Sequence, residues 1–384
     1  MLHLEYPTVR RRQYLRRDTV IGILMRFPSC TVLFVLLSSL SVNGSQLPTT
    51  GEGLYEIGCA KCHGETGAGV PLDQVGFDVP LPDFADCSFA TREPDFDWIA
   101  VSHQGGPVRG FDSSMPAFGE AFDIEHLQKI VDFIRTFCVE ESWPSGELNL
   151  PRPMFTEKAY PEDELIWTVG VATEGKGELT NQLLYERRFG ARYQWELAVP
   201  FGAAQSTSGG PWAGGVGDVT VGVKSTVYHR LDRGNILSLN AEVDFPTGSE
   251  ETGQGKGVFV FEPSISFGQL LPGDSFVHLQ AGIELPSDRD RVEQEIFWAA
   301  VFGRTFTANT WGRSFSPMVE IIGRAEDGST EWEVVPQVQI SLNVRQHVLA
   351  NVGLLVPVNE SSRPKQIFFY VLWEWFDGGL LDGW

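Results

Sequence analysis

Positive charge is scarce in this 384-residue chain: 29 Lys and Arg stand against 50 Asp and Glu, a formal net charge of −21. A deficit that large argues against nucleic acid or an anionic lipid face as the partner, since both are held by clustered Lys and Arg. Cysteine is also sparse. Of five, only Cys59 and Cys62 are close in sequence, so a zinc site built from two paired sets of ligands is excluded. His229, His278 and His347 fall singly on different segments. No Ser-His-Asp, paired-carboxylate or metal-ligand constellation stands out around them. The apolar run at residues 31–40 (TVLFVLLSSL) is too short to cross a bilayer as a helix. The length accommodates either two domains or one large barrel.

What is present begins with an export signal. Arg26, the apolar run and the small residues ending Val42-Asn43-Gly44 have the charged start, apolar middle and cleavage site of a secretory peptide, with Met25 as its start. Arg11-Arg12-Gln13-Tyr14-Leu15-Arg16 also has the look of a twin-arginine signal, although Asp18, Arg26 and Pro28 interrupt its apolar core. Residues 1–44 are therefore expected to be signal or upstream extension, and the mature chain to leave the cytoplasm. Removing them takes away Cys30. Cys87 and Cys138 then remain beside the close pair, and in an oxidising compartment an even remainder suggests a disulfide, two free buried thiols being the alternative.

The most informative stretch is Cys59-Ala60-Lys61-Cys62-His63. Two thiols on one side of a helical turn can add across the vinyl groups of haem, and the adjacent imidazole can face the iron. The competing chemistries of C-x-x-C, a half zinc site or a redox pair, do not require the following His. One covalently attached haem c is therefore expected. Thr49 with Glu52 forms a capping-box pattern for the helix that carries the motif. Asp123 can cap a second helix running to Cys138, with Leu127, Ile130, Val131 and Ile134 on one face. Between the two helices, Met115 in Ser114-Met115-Pro116-Ala117-Phe118 is the candidate sixth ligand, and His103 competes. A thioether opposite an imidazole suits electron transfer and leaves no open iron position.

Gly53-Leu54-Tyr55, Cys59-Ala60-Lys61-Cys62-His63-Gly64 and Met115-Pro116-Ala117-Phe118-Gly119 resemble the class I cytochromes c. The resemblance implies a small helical fold over residues 46–140, thioether bonds to Cys59 and Cys62, His63 as proximal ligand and Met115 as distal ligand. It also implies a proline carbonyl that orients the His63 ring, with Pro71 as first choice and Pro80 and Pro82 as alternatives. Trp98 and Arg109 are candidates for the haem propionates; packing and surface solvation are the competing readings.

Residues 141–163 hold Pro144, Pro151, Pro153 and Pro161 among acidic residues, the composition of an extended spacer. Beyond it, over residues 164–384, helical spacing gives way to strict alternation, as in residues 237–245 (LSLNAEVDF) and 332–345, broken by turn-rich sequence such as Thr207-Ser208-Gly209-Gly210. About twelve long strands joined this shortly predict an antiparallel up-and-down meander that closes on itself. Polar faces bearing Glu196, Lys224, Glu242, Glu284, Glu320, Glu333 and Arg345 fit a water-filled lumen. Trp195, Trp298, Trp311, Trp332, Trp373 and Trp375 fit aromatic girdles. Val199-Pro200-Phe201, Gly217-Asp218-Val219 and Phe245-Pro246-Thr247-Gly248 resemble bacterial outer-membrane barrels of the MetA-like phenol-degradation type. A soluble sandwich or lipocalin-like barrel is the alternative.

The fold class expected is thus multidomain: an all-α cytochrome c domain followed by an all-β barrel. The arrangement resembles fused cytochrome-porins and implies a monohaem electron carrier anchored at the outer membrane, with its haem domain in the periplasm. Its partner would be a redox protein or a small electron donor or acceptor, and no nucleic acid. A solute transporter with a haem-bearing accessory domain and a soluble periplasmic haem oxidoreductase are the other readings.

Overall fold

The computed structural model describes residues 47–326, 328–359 and 363–375. The export signal, Cys30 and Trp384 lie outside them.

Helices α1 (Gly51–Gly58), α2 (Ala60–His63), α3 (Cys87–Ala90), α4 (Asp95–Gln104) and α5 (Ile124–Ile134) build the first domain. Thr50, one residue later than the capping-box pattern indicates, caps α1: its hydroxyl accepts from Gly53 N–H at 3.2 Å. Asp123 caps α5, accepting from His126 N–H at 2.9 Å. That helix stops at Ile134, short of the expected Cys138. Tight bonds from Thr136 N–H to Phe133 O and from Phe137 N–H to Ile134 O close its last turn. Cys138 then turns onto α3, where it is bridged to Cys87 with Cα atoms 5.1 Å apart. α1 and α5 meet through Leu54, Tyr55, Leu127, Ile130 and Val131, all buried, and each such side chain contributes about 1.5–3 kcal/mol. A Cβ at Gly51 would strike the Lys129 carbonyl, so glycine permits the close approach.

The second domain is a closed antiparallel barrel. Its strands are β1 (Glu164–Ala172), β2 (Glu178–Phe189), β3 (Tyr193–Gln205), β4 (Trp212–Val216), β5 (Val219–Arg230), β6 (Asn235–Phe245), β7 (Val260–Leu271), β8 (Ser275–Pro286), β9 (Glu295–Arg304), β10 (Phe306–Thr307), β11 (Ser314–Glu326), β12 (Ser329–Ser341), β13 (Val348–Pro357) and β14 (Gln366–Glu374). Twelve of them form the wall. β4 only extends β3 beyond the rim, and β10 only pairs the start of β11. The circle closes where β1 pairs β14, with Leu165 opposite Trp373, and where β9 pairs β11 directly. Each of the twelve segments expected from alternation forms a wall strand.

The wall is polar inside and apolar outside. Glu164, Glu186, Gln194, Lys224, Ser266 and Glu320 are inward and at most 2% exposed, whereas Val171, Leu183, Val223, Ile265, Phe302 and Val352 are 40–58% exposed on the outer face. A soluble sandwich or lipocalin would have the opposite polarity; this one suits lipid. Exposed Phe189, Tyr193 and Trp195 lie near one rim, and Phe245, Phe261 and Trp332 near the other. Two of the expected girdle residues lie elsewhere: Trp311 packs on the helical domain, and Trp375 is buried against Tyr185. Arg345 is likewise not in the lumen but in a turn over Phe111. No helix among the described residues is long and apolar enough to cross a membrane.

The expected spacer is not a solvated tether. From Gly146 the chain enters the lumen at the helical-domain end, reaches Phe155 and returns to begin β1. Leu148, Leu150, Arg152, Thr156, Lys158, Tyr160 and Glu162 are all buried. Prolines suit this course because each removes one amide that the lumen would otherwise have to satisfy. The remaining polar groups find partners on the wall. Thr156 N–H donates to Glu320 at 2.6 Å, Glu157 N–H to Gln280 at 2.8 Å and Glu162 N–H to Gln194 at 2.6 Å. The Arg152 carbonyl accepts from Tyr370 Oη at 2.7 Å. The segment is therefore a plug. Beyond its tip a cavity of about 140 Å³ opens, lined by Phe155, Glu262, Glu284 and Glu295.

Candidate haem site

α1 ends and α2 begins at Cys59, so the whole Cys59–His63 motif is helical or at a helix boundary. Both cysteines are free and half-buried. Burial, with Cys62 beside it, pushes the Cys59 thiol up to about 12. Past His63 the chain reverses through Gly64, Gly67 and Gly69, all at φ between 74° and 78°, a conformation that favours glycine. Val70 N–H returns to Cys62 O and Gly69 N–H to His63 O, each at 2.9 Å. Tyr55 Oη donates to the Gly64 carbonyl at 2.7 Å, tying the loop to the core.

His63 is 9% exposed and its ring stacks on Phe84 at 4.7 Å. Burial lowers its pKa to about 4, so the imidazole is neutral at pH 7 and has a lone pair to donate. Nδ1 is buried without a hydrogen-bond partner. None of the carbonyls of Pro71, Pro80 and Pro82 reaches it, and that of Pro71 accepts from Gln74 N–H instead. Two neighbouring thiols, a neutral imidazole and an orphaned ring nitrogen in an apolar shell form a donor set that fits haem c.

Met115 lies half-buried in the loop between α4 and α5. Its carbonyl accepts from Gly106 N–H at 3.0 Å, and Phe118 and Gly119 N–H groups donate to Ser102 O and His103 O at 2.9 and 3.0 Å. Gly105 makes room for this loop, since a Cβ there would meet Met115 O at 2.9 Å. The competing His103 is engaged otherwise: its ring packs under Gly119 and against Trp311 at 5.2 Å, with Nδ1 2.6 Å from the Gln104 amide. Trp98 sits in the core between Phe84 and the Arg135 guanidinium.

The domain is seated on the barrel end from which the plug enters. Arg109, 3% exposed, donates from Nε to Asp97 at 2.6 Å and from Nη1 to Trp311 O at 2.9 Å. His347 Nε2 lies 2.6 Å from Glu93, Gln346 donates to Asp97 at 3.3 Å, and Arg92 is paired with Asp163. Burial and the neighbouring Glu93 carboxylate hold Asp97 above the usual carboxylate range. Sequence reasoning missed this seat and the plug residue Arg152; it placed Glu320 in the lumen but not as the acceptor for Thr156. The only signal was a density of ionisable groups within the proline-rich stretch, and composition does not assign partners.

Residues 174–372 match the model of the family described as the MetA-pathway of phenol degradation. The chain belongs to that family. Residues 46–134 match cytochrome c oxidase, cbb3-type, subunit III, so the helical region is a cytochrome c domain. Among solved structures the chain is similar to an outer membrane channel from Pseudomonas putida F1 (14% identity, 59% of this chain and 100% of that one, TM-score 0.44). It is also similar to the KdgM porin (9%, 55% and 99%, 0.38) and to LpxR from Salmonella typhimurium (7%, 55% and 100%, 0.38). No curated protein matches. The chain therefore joins a cytochrome c domain to a closed outer-membrane barrel in this family.

Proposed function

We propose that this protein is a monohaem electron carrier fixed at the outer membrane by a barrel that its own linker closes. Cys59 and Cys62 bind the haem covalently, His63 supplies the proximal nitrogen and Met115 the distal sulfur. The haem supplies a one-electron couple. The polypeptide's part is to keep His63 neutral, hold the Met115 loop against α4 and exclude water with Leu54, Tyr55 and Phe84. Arg109 Nη2, buried without a partner, is the donor left over for a propionate. Engagement of His103 at the barrel favours Met115 as the sixth ligand.

The observation that carries this reading over a solute channel is the plug, because a lumen occupied from Leu148 to Glu162 leaves the barrel as an anchor and seat. The chain ends of an even-stranded barrel lie on the periplasmic side. Glu164 and Glu374 pair at the end of the barrel on which the haem domain sits, which supports a periplasmic position for that domain, within reach of a soluble redox protein or a small donor. The test is a redox titration of the purified protein with a carbon monoxide challenge. A covalent, low-spin haem spectrum unmoved by the gas is expected; no covalent haem, or ready binding of the gas by the reduced iron, refutes it.

A further inference from the structure

Four adjacent strands place a glutamate at one level of the lumen wall. Glu374 of β14 faces Glu164 of β1, Glu164 faces Glu186 of β2, and Glu186 faces Glu196 of β3. Directly opposed like charges destabilise an antiparallel pair, and burial makes each unpaired charge more costly. The plug adds Glu157 and Glu162. Against these six carboxylates stand three cations: Arg152 on Glu157, Glu164 and Glu186, Lys224 on Glu157 and Glu186, and Lys158 on Glu162.

Part of that excess lies at the seam, where Lys158 and Arg152 meet Glu162 and Glu164. One carboxylate oxygen each from Glu162, Glu164 and Glu374 lies within 4.8 Å of the other two. The residues are 0, 0 and 7% exposed, and Glu164 Oε2 is buried with no hydrogen-bond partner while Oε1 takes Arg152. Two oxygens bound to one Ca²⁺ at about 2.4 Å stand at most about 4.8 Å apart. We propose that Glu162, Glu164 and Glu374 hold a hard divalent cation, of the Ca²⁺, Mg²⁺ and Mn²⁺ class. An all-oxygen set selects these over softer metals. The ion ties the plug to the first and last strands and cuts the charge excess from three to one. The neighbouring trio Glu157, Glu186 and Glu196 contributes no buried oxygen without a hydrogen-bond partner and is a weaker candidate.

The experiment uses the mature full-length protein in detergent, stripped with a chelator and titrated with Mn²⁺ by electron paramagnetic resonance and with Ca²⁺ by calorimetry. One tight ion per chain is expected, with a higher melting temperature when it is bound. Glu374→Gln lowers the affinity at least about tenfold by removing one ligand charge, whereas Asp232→Asn, on an exposed turn, leaves it unchanged. Unchanged β-sheet circular dichroism in Glu374→Gln shows that the barrel of the variant folds. Equal weak binding by wild type and Glu374→Gln overturns the proposal. So does a protonated-carboxyl infrared band that Glu374→Gln removes and Ca²⁺ does not, since a proton would then carry the excess.

Discussion

Replacing Arg152 with alanine is the sharpest perturbation of the closed lumen. The guanidinium is 7% exposed and serves Glu164 and Glu186, both fully buried, as well as Glu157. Truncation leaves Glu164 in place without its ion-pair partner and Glu186 with Lys224 alone at 3.9 Å, and removing one partner of a buried pair costs about 3–5 kcal/mol. The wall cannot relax to escape this cost, because β1 and β2 are locked in register from Glu164↔Glu186 to Val171↔Leu179. The plug can. Its tip is held by Thr156 on Glu320 and by Phe155 against Phe368 at 4.8 Å, contacts that an unseated segment exchanges for water. At about 1.4 kcal/mol per factor of ten, the unplugged fraction rises by roughly two to three and a half orders of magnitude. Single-channel recording in planar bilayers reads this directly: wild type is expected to be closed almost always, and Arg152→Ala to show openings of a size suited to a twelve-stranded lumen. Wild-type protein that already conducts steadily refutes the reasoning. So does an alanine variant that stays as closed and as stable as wild type.

Three further predictions concern the haem domain. Met115→Ala abolishes the low-spin absorption spectrum and lowers the midpoint potential, and an unchanged spectrum and potential rule Met115 out as ligand. Replacing Cys87 and Cys138 together with serine removes a crosslink spanning 51 residues, worth about 4 kcal/mol by loop-closure entropy; denaturant titration followed at the haem absorption should show the loss, and an unmoved midpoint contradicts it. Burial, with Asp95 beside it, lifts Glu147 from 4.5 to about 7. Its folded-state pKa exceeds its unfolded one, so its contribution to stability is complete below about 4.5 and is lost as pH rises through 7. The domain is thus expected to unfold more readily at pH 8 than at pH 5, and Glu147→Gln to flatten that slope; equal slopes in the two proteins refute the assignment.

The seam site and the plug show why a local rule can be right about each strand and silent about the whole. Alternation in a segment such as residues 237–245 states that Ser238 and Asn240 share one face and Leu237 and Leu239 the other, because successive side chains of a strand point to opposite sides. It does not state which face meets lipid. That was settled when the polar faces closed on one another, burying Ser238 and Asn240 while Leu239 stayed half exposed. Helix caps were readable to within a residue, Asp123 at its position and Thr50 one place late, since a cap is satisfied by an amide three residues on. The Cys87–Cys138 bridge was suggested only by an even count.

By itself, then, the sequence determined the order of helical region and barrel, the pentapeptide we propose to bind haem and the number of wall strands, because each depends on spacings of a few residues that the backbone repeats. Tertiary structure alone decided that the proline-rich segment fills the barrel, that His103 and Arg109 belong to the seat against Trp311, and that Glu162, Glu164 and Glu374 converge. The partners in those cases are up to about two hundred residues apart: the closure of β14 onto β1 brings Glu164 to Glu374, and the turn before β11 brings Trp311 to Arg109, long-range contacts that no short stretch of the chain encodes.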